Sequence, residues 1–153
     1  MILKLFEVEI DNSIRHMLSF IPHEEAFENG INNKAVVGYL IDPNAPVLHE
    51  NITYNPSFIY LFHKTVKETS VNSKQLSEAA LKQNSGYIYI IDLRDKNRPN
   101  TKPQDIIGAF KLDEGRIVED SYSPNPNYQL ISEDGAFKLP DDFIQNLEIA
   151  MFE

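Results

Sequence analysis

Cysteine is absent from this chain, and so is tryptophan. Without cysteine there are no disulfides, no thiolate nucleophile and no sulfur-based zinc site. Positive charge is scarce: 14 lysines and arginines face 23 acids, for a net charge of -9. That balance argues against a nucleic-acid backbone or an anionic membrane as the main partner. Long apolar runs are also missing. Nothing approaches the length of a membrane span, and Met1-Ile2-Leu3-Lys4-Leu5-Phe6-Glu7-Val8-Glu9 has neither the basic region nor the apolar stretch of a secretory signal. The expectation is therefore a cytoplasmic protein, or one exported by a signal-independent route. No Gly-rich phosphate loop or Gly-x-Ser-x-Gly elbow occurs, which removes the common nucleotide-hydrolase and serine-hydrolase readings.

What is present suits one folded domain. A chain of 153 residues with 42% hydrophobic and 24% charged residues is long enough and apolar enough to bury one substantial core. The acids are unevenly placed. Between Asp113 and Glu153, ten of them stand against Arg116 and Lys138 alone. Such an end keeps a domain soluble, and it also suits a basic protein partner.

The hydrophobic pattern alternates from Ile2 to Ile10, as in a first strand, and turns at Asp11-Asn12-Ser13. The stretch to Leu18 reads either as a short helix or as a second extended piece. Pro22 to Gly30 predicts a short helix, with proline and acids in its first turn and glycine after its end. Ala35–Ile41 and Ile52–Tyr54 suit strands. Helices are expected from Ser57 to about Glu68, with Phe58, Leu61 and Phe62 inward, and from Lys74 to about Gln83, with Leu76, Ala79, Ala80 and Leu81 inward. Ser73 supplies the second helix with an N-cap. Residues 86–92 and 105–110 read as buried strands in which Tyr87 and Tyr89 are core candidates. Between them, Arg94 to Pro103 has no apolar anchor and reads as a mobile loop. Gly115 marks a hairpin, and a last helix starts at Leu139-Pro140, with Phe143, Leu147 and Ala150 inward.

The segment from Gly86 to Phe137 carries a particular order of motifs. Tyr87-Ile88-Tyr89-Ile90-Ile91 is followed by Asp105-Ile106-Ile107-Gly108-Ala109, then by Ser123-Pro124-Asn125-Pro126, and then by a turn at Asp134-Gly135. In order and spacing it resembles the C-terminal half of the cholera- and pertussis-toxin-like ADP-ribosyltransferases. That family runs Tyr-x-Tyr-x-Ile, Asp-x-x-Gly-Ala, Ser-Pro-x-Pro, Glu-x-Glu and a Gly-containing turn. The resemblance covers roughly a third of the chain. It implies an α+β fold of split antiparallel β-sheets with flanking helices, NAD as cofactor, and a role of bacterial toxin or effector type. The two glutamate positions fall on Tyr128 and Leu130, so the resemblance is to a member that lacks the motif acids.

Carried over residue by residue, the resemblance assigns Arg15, in preference to Glu7, to a phosphate, with His16 beside it. Thr53 and Tyr54 would lie on the nicotinamide side. Tyr128 would stack on a ring, and Gln129, Glu133 or Asp134 would approach the ribose. The family's glutamate stabilises the oxocarbenium-like centre formed as nicotinamide departs. Leu130 cannot do so, and Gln129 brings hydrogen bonds without charge. Three readings follow: a catalytically silent NAD-cleft protein, an active transferase using a displaced acid, and a protein-binding accessory or antitoxin-like module. Alternation along 128–131 places Tyr128 and Leu130 on the cleft face and Gln129 away from it. His23, His49 and His63 show no ligand spacing with His16, and no metal is expected.

Overall fold

The structure, a computed structural model, describes residues 1–21 and 32–153. The short helix expected over Pro22 to Gly30, and His23 with it, lie outside the described residues.

The first sheet is a meander of four antiparallel strands in the order β1-β2-β3-β4. β1 (Lys4–Ile10) and β2 (Ser13–Ser19) form a hairpin in register from Lys4↔Ser19 to Ile10↔Ser13. The open choice for 13–18 is thus decided as strand. Its turn, Asp11-Asn12, takes positive φ at both residues, 51° and 65°. That backbone matches the right-handed twist of the strands, and Asp and Asn tolerate it better than most residues. β3 (Val36–Leu40) and β4 (Ile52–Tyr54) complete the sheet.

Two helices follow. α1 (Pro56–Val71) begins at Asn55, whose side chain accepts from the Ser57 N–H while its amide donates to the carbonyls of Asn33 and Val36. One side chain therefore caps the helix and ties it to the start of β3. Phe58, Phe62 and Val66, at a spacing of four, form the buried stripe of α1. Each contributes about 1.5–3 kcal/mol of burial. α2 (Lys74–Gln83) is capped by Ser73, as expected. Its buried face is narrower than the pattern suggests. Ala80 is buried and Leu76 partly so, but Ala79 is exposed and Leu81 is 65% exposed.

The second sheet orders β5 (Gly86–Ile91), β6 (Ile106–Asp113) and β7 (Arg116–Ile117), with β8 (Ser123–Pro124) also pairing β6. The two apolar runs singled out in the sequence are thus direct neighbours, from Gly86↔Leu112 to Ile91↔Ile106. The side chains that face inward are Ile88 and Ile90, while Tyr87 and Tyr89 are more than half exposed. A ribbon of β9 (Ile131–Ser132) and β10 (Gly135–Ala136) precedes α3 (Asp141–Phe152). Phe143, Leu147 and Met151 of α3 are buried, Met151 rather than Ala150 completing the stripe.

The main core draws on both sheets and all three of these helices, and a smaller cluster of Phe6, Met17 and Val36 sits on the other face of the first sheet. The chain is thus α+β, with three α-helices and several antiparallel sheets among the described residues. No helix there is long and apolar enough to cross a membrane.

Candidate functional site

α1 faces the irregular segment 122–130 across a cavity of about 1000 Å³. Ile59, Tyr60, His63 and Lys64 project from the helix, while Tyr122, Pro126, Tyr128 and Leu130 form the opposite wall. His49 and Tyr54 close one end. The far wall is fixed by its own polar groups. The Asn125 amide donates to the carbonyls of Pro103 and Ile106, both at 2.8 Å, and the Asn125 N–H donates to the Ile107 carbonyl. The flanking Pro124 and Pro126 restrict φ on either side of it.

Tyr128 is a buried part of that wall. Its ring stacks on Phe62 with centroids 5.8 Å apart and planes 15° from parallel, and its hydroxyl donates to Asp92 Oδ2 at 2.7 Å. Beneath it lies a buried ionic hub. Arg94 donates through Nε to Asp105 Oδ1 at 3.0 Å, and its terminal nitrogens donate to the carbonyls of Leu130, Gly135, Gln104 and Gln129. Asp92 accepts from the backbone N–H groups of Arg94 and Lys138. The stretch from Arg94 to Pro103, expected as a mobile loop, is thus anchored at its first residue, which is 3% exposed.

Two histidine–tyrosine pairs line the cavity. His63 Nδ1 lies 2.6 Å from the Tyr122 hydroxyl, and His49 Nδ1 lies 3.1 Å from that of Tyr54. Tyr122 packs on Gly108, where a Cβ would fall 2.7 Å from its hydroxyl and 2.8 Å from the Ser123 carbonyl. Only glycine at 108 leaves room for this arrangement. Burial pushes the Tyr54 phenol up to about 12, raises Tyr122, and raises Tyr128 with help from Asp92. Burial also lowers His63 to about 4. At neutral pH His63 and these three phenols are therefore uncharged and serve as hydrogen-bonding groups. Formal charge enters at exposed Lys64, Lys67 and Glu68.

The state of His63 gives a prediction about pH. Its pKa in the folded protein lies below the ordinary 6.5, so between pH 6.5 and about 4 the unfolded chain binds the extra proton. The stabilising effect of a neutral His63 is complete above that window and is lost as pH falls through it. Urea titrations should show a decline of at most about 3 kcal/mol from this group between neutral pH and pH 4. His63→Gln should flatten that part of the profile. An unchanged slope in the variant would show that other groups set the acid sensitivity.

Of the residues expected at a site, Tyr54 and Tyr128 meet at this cavity, with Leu130 beside them and Gln129 turned away. Arg15, His16 and Thr53 do not join them. Arg15 and Thr53 lie on the outer face of the first sheet, where the Arg15 guanidinium sits 4.2 Å over the Tyr39 ring. Side chains alternate along a strand, so Tyr54 can face the core only if Thr53 faces out. His16 pairs with Glu7 in the β1–β2 hairpin. The Gln129 backbone is bound on both sides, its N–H donating to the Gln104 carbonyl and its own carbonyl accepting from Arg94. Glu133 and Asp134 occupy the exposed turn between β9 and β10, with Lys102 Nζ at 3.4 and 3.9 Å.

Sequence reasoning missed His49, His63 and Arg94. His63 had one signal, its place next to Phe62 at the edge of the apolar stripe. Among the described residues, no group of three or more His, Asp or Glu side chains is placed to hold a metal ion. No family model, curated protein or solved structure matches this chain.

Proposed function

We propose that this chain is an NAD-cleft domain of ADP-ribosyltransferase-like type that binds its nucleotide in the α1/122–130 cavity and is catalytically silent. The observation that carries the reading is the wall itself. Tyr54 and Tyr128 flank one cavity with hydrogen-bonding His–Tyr pairs inside it and Lys64 and Lys67 at its mouth. A planar ring suits the aromatic surfaces, and phosphates suit the lysines. Departure of nicotinamide needs a carboxylate beside the developing positive charge. Among the described residues that line the cavity, Glu68 is the one acid, and it is exposed at the rim. Glu133 and Asp134, the displaced acids an active enzyme would use, sit with Lys102 outside this lining.

Calorimetry with NAD and ADP-ribose tests the reading. Binding is expected, weakened about tenfold by Tyr54→Ala and by the Lys64→Glu/Lys67→Glu pair, a loss of ~1.4 kcal/mol each. No nicotinamide should be released. Absence of heat at millimolar NAD would remove the nucleotide reading, and nicotinamide release would replace the silent protein with an enzyme. A basic protein partner is the second reading, favoured by the exposed acids Asp113, Glu114, Glu119, Asp120, Glu133, Asp134 and Asp141. Co-purification of such a partner without NAD binding would support it.

A further inference from the structure

The polar side chains that line the α1/122–130 cavity divide into those already spent and those still open to a ligand. Tyr128 spends its hydroxyl on Asp92, and Asn125 spends its amide on the Pro103 and Ile106 carbonyls. Asn125 Oδ1 accepts from the Asn127 N–H. The Tyr122 and Tyr54 hydroxyls each meet one histidine, and both meet it at Nδ1. Nε2 of His63 and of His49 has no hydrogen-bond partner among the described residues, and neither atom is one of the buried polar atoms that lack a partner. Both therefore reach open space, and the space that these two half-buried rings line is the cavity.

Which nitrogen carries the proton follows from the partner. A phenol is the better donor of such a pair, and an imidazole nitrogen is the better acceptor. Burial keeps Tyr122 a phenol and His63 a neutral imidazole at neutral pH. The Tyr122 hydroxyl has no other partner among the described residues, so it donates to His63 Nδ1, 2.6 Å away. An imidazole whose Nδ1 accepts holds its hydrogen on Nε2. Phe62, met edge-on at 89°, and Tyr122, seated against Gly108 and Phe110, hold the ring in this orientation. Tyr54, also kept a phenol by burial, stands in the same relation to His49 Nδ1 at 3.1 Å. Whether the His49 ring is neutral or charged, its Nε2 then carries hydrogen.

We infer that Tyr122 and Tyr54 are positioning residues that fix His63 and His49 as hydrogen-bond donors, so that this cavity selects its ligand by the acceptor oxygens the ligand brings. The inference deepens the nucleotide reading and rests on it for the occupant, NAD, whose carboxamide and phosphates supply such oxygens. The donor assignment itself rests on the His–Tyr geometry. Charge at the mouth agrees with the interior. Lys64 and Lys67 are exposed and form no ion pair among the described residues, with Glu68 as the one acid of the lining. A cationic head would therefore meet N–H donors inside and two lysines at the entrance. The net charge of -9 acts the other way and draws cations from a distance, so a preference for anions has to come from these local groups.

The test uses the full chain with NAD and with two probes that share a ring and differ in the head, benzoate and benzylammonium. Long-range proton–nitrogen NMR spectra of the ligand-free protein at neutral pH should show His63 with its proton on Nε2 and a bare Nδ1. Tyr122→Phe should let the two tautomers mix, which a merely structural role for Tyr122 would not produce. Benzoate should bind at millimolar concentration and shift the His63 Nε2 resonance, with benzylammonium about tenfold weaker or more. His63→Gln keeps an N–H donor close to the place of Nε2 and should hold benzoate within about threefold, whereas His63→Leu should lose about tenfold. Circular dichroism checks that both variants are folded. The proposal is overturned by a proton on His63 Nδ1, by benzoate failing to bind, by benzylammonium binding as tightly, or by His63→Leu binding benzoate unchanged. If NAD gives no heat while benzoate behaves as expected, the nucleotide reading falls and the donor selectivity stands. NAD binding with the proton on Nδ1 does the reverse.

Discussion

Arg94→Ala is expected to destabilise the protein by about 3–5 kcal/mol, the effect of removing one member of a buried ion pair. The guanidinium holds Asp105 at 3.0 Å and four backbone carbonyls, and it lies 5.5 Å from the centre of the Tyr128 ring. Without it, two carboxylates that are 0% and 1% exposed lose their cation, and the carbonyls of 129–135 lose their donors. Asp105 Oδ2 already has no hydrogen-bond partner among the described residues, so the remaining charge would have little else to bond. Arg94→Lys should recover only part of the loss, because an ammonium cannot reach carbonyls in several directions at once. Urea unfolding followed by circular dichroism measures the difference. A loss below about 1 kcal/mol for the alanine variant would show that the hub is not what holds the 129–137 segment.

Phe62→Ala should cost a similar amount, about 3–5 kcal/mol, through a different cause. Phe62 is fully buried, stacks on Tyr128, and meets Phe137 edge-on at 5.0 Å. Its removal leaves a void under the cavity floor instead of an unpaired charge. For a chain of this size each kcal/mol lowers the melting temperature by about 2–4 °C, so scanning calorimetry should show a drop of roughly 6–20 °C. Phe62→Leu, which keeps most of the volume, should lose far less. Equal drops for the two variants would place the effect in the aromatic stacking rather than in the void.

How far the sequence reveals this molecule depends on which property it encodes. Stripes at helical spacing, such as Phe58 and Phe62, and caps such as Ser73 were legible because periodicity and local hydrogen bonding are written residue by residue, although Val66 rather than Leu61 completes that stripe. Tyr128 and Leu130 share the cavity wall as expected, but not through the strand expected over 128–131. The strand starts only at Ile131, and the irregular backbone of 128–130 is set by its bonds to residues 94, 104 and 125. The facing of β5 was not legible. Tyrosines and isoleucines alternate there, both suit a core, and only the packed sheet shows that the isoleucines go inward. α2 misled in the same way, since Ala79 and Leu81 are apolar yet lie outside the contact with the core. Arg94 was invisible to hydrophobic patterning. It falls in step with Ile88, Ile90 and Asp92, all buried, but a charge at an inward position reads as a loop residue until its partners from 105 and 129–135 are in place. Arg15 stands apart from the α1 cavity, and that could not be read from the sequence because its face depends on the register with β3, where Tyr39 receives it.

The meander of the first sheet bears on how fast the chain reaches this state. β1, β2, β3 and β4 each pair with the next strand in sequence, and β5 pairs with β6 in the same manner. Bringing such neighbours together closes short loops, which costs little chain entropy, and topologies of this kind cross their folding barrier sooner than sheets that pair distant strands. The bonds from Arg94 to residues 130 and 135 span 36 and 41 positions, longer closures that chain entropy is expected to place after the local pairings. Damage to that hub then belongs to the unfolding limb of the kinetics: the protein would assemble at nearly its normal rate and come apart faster.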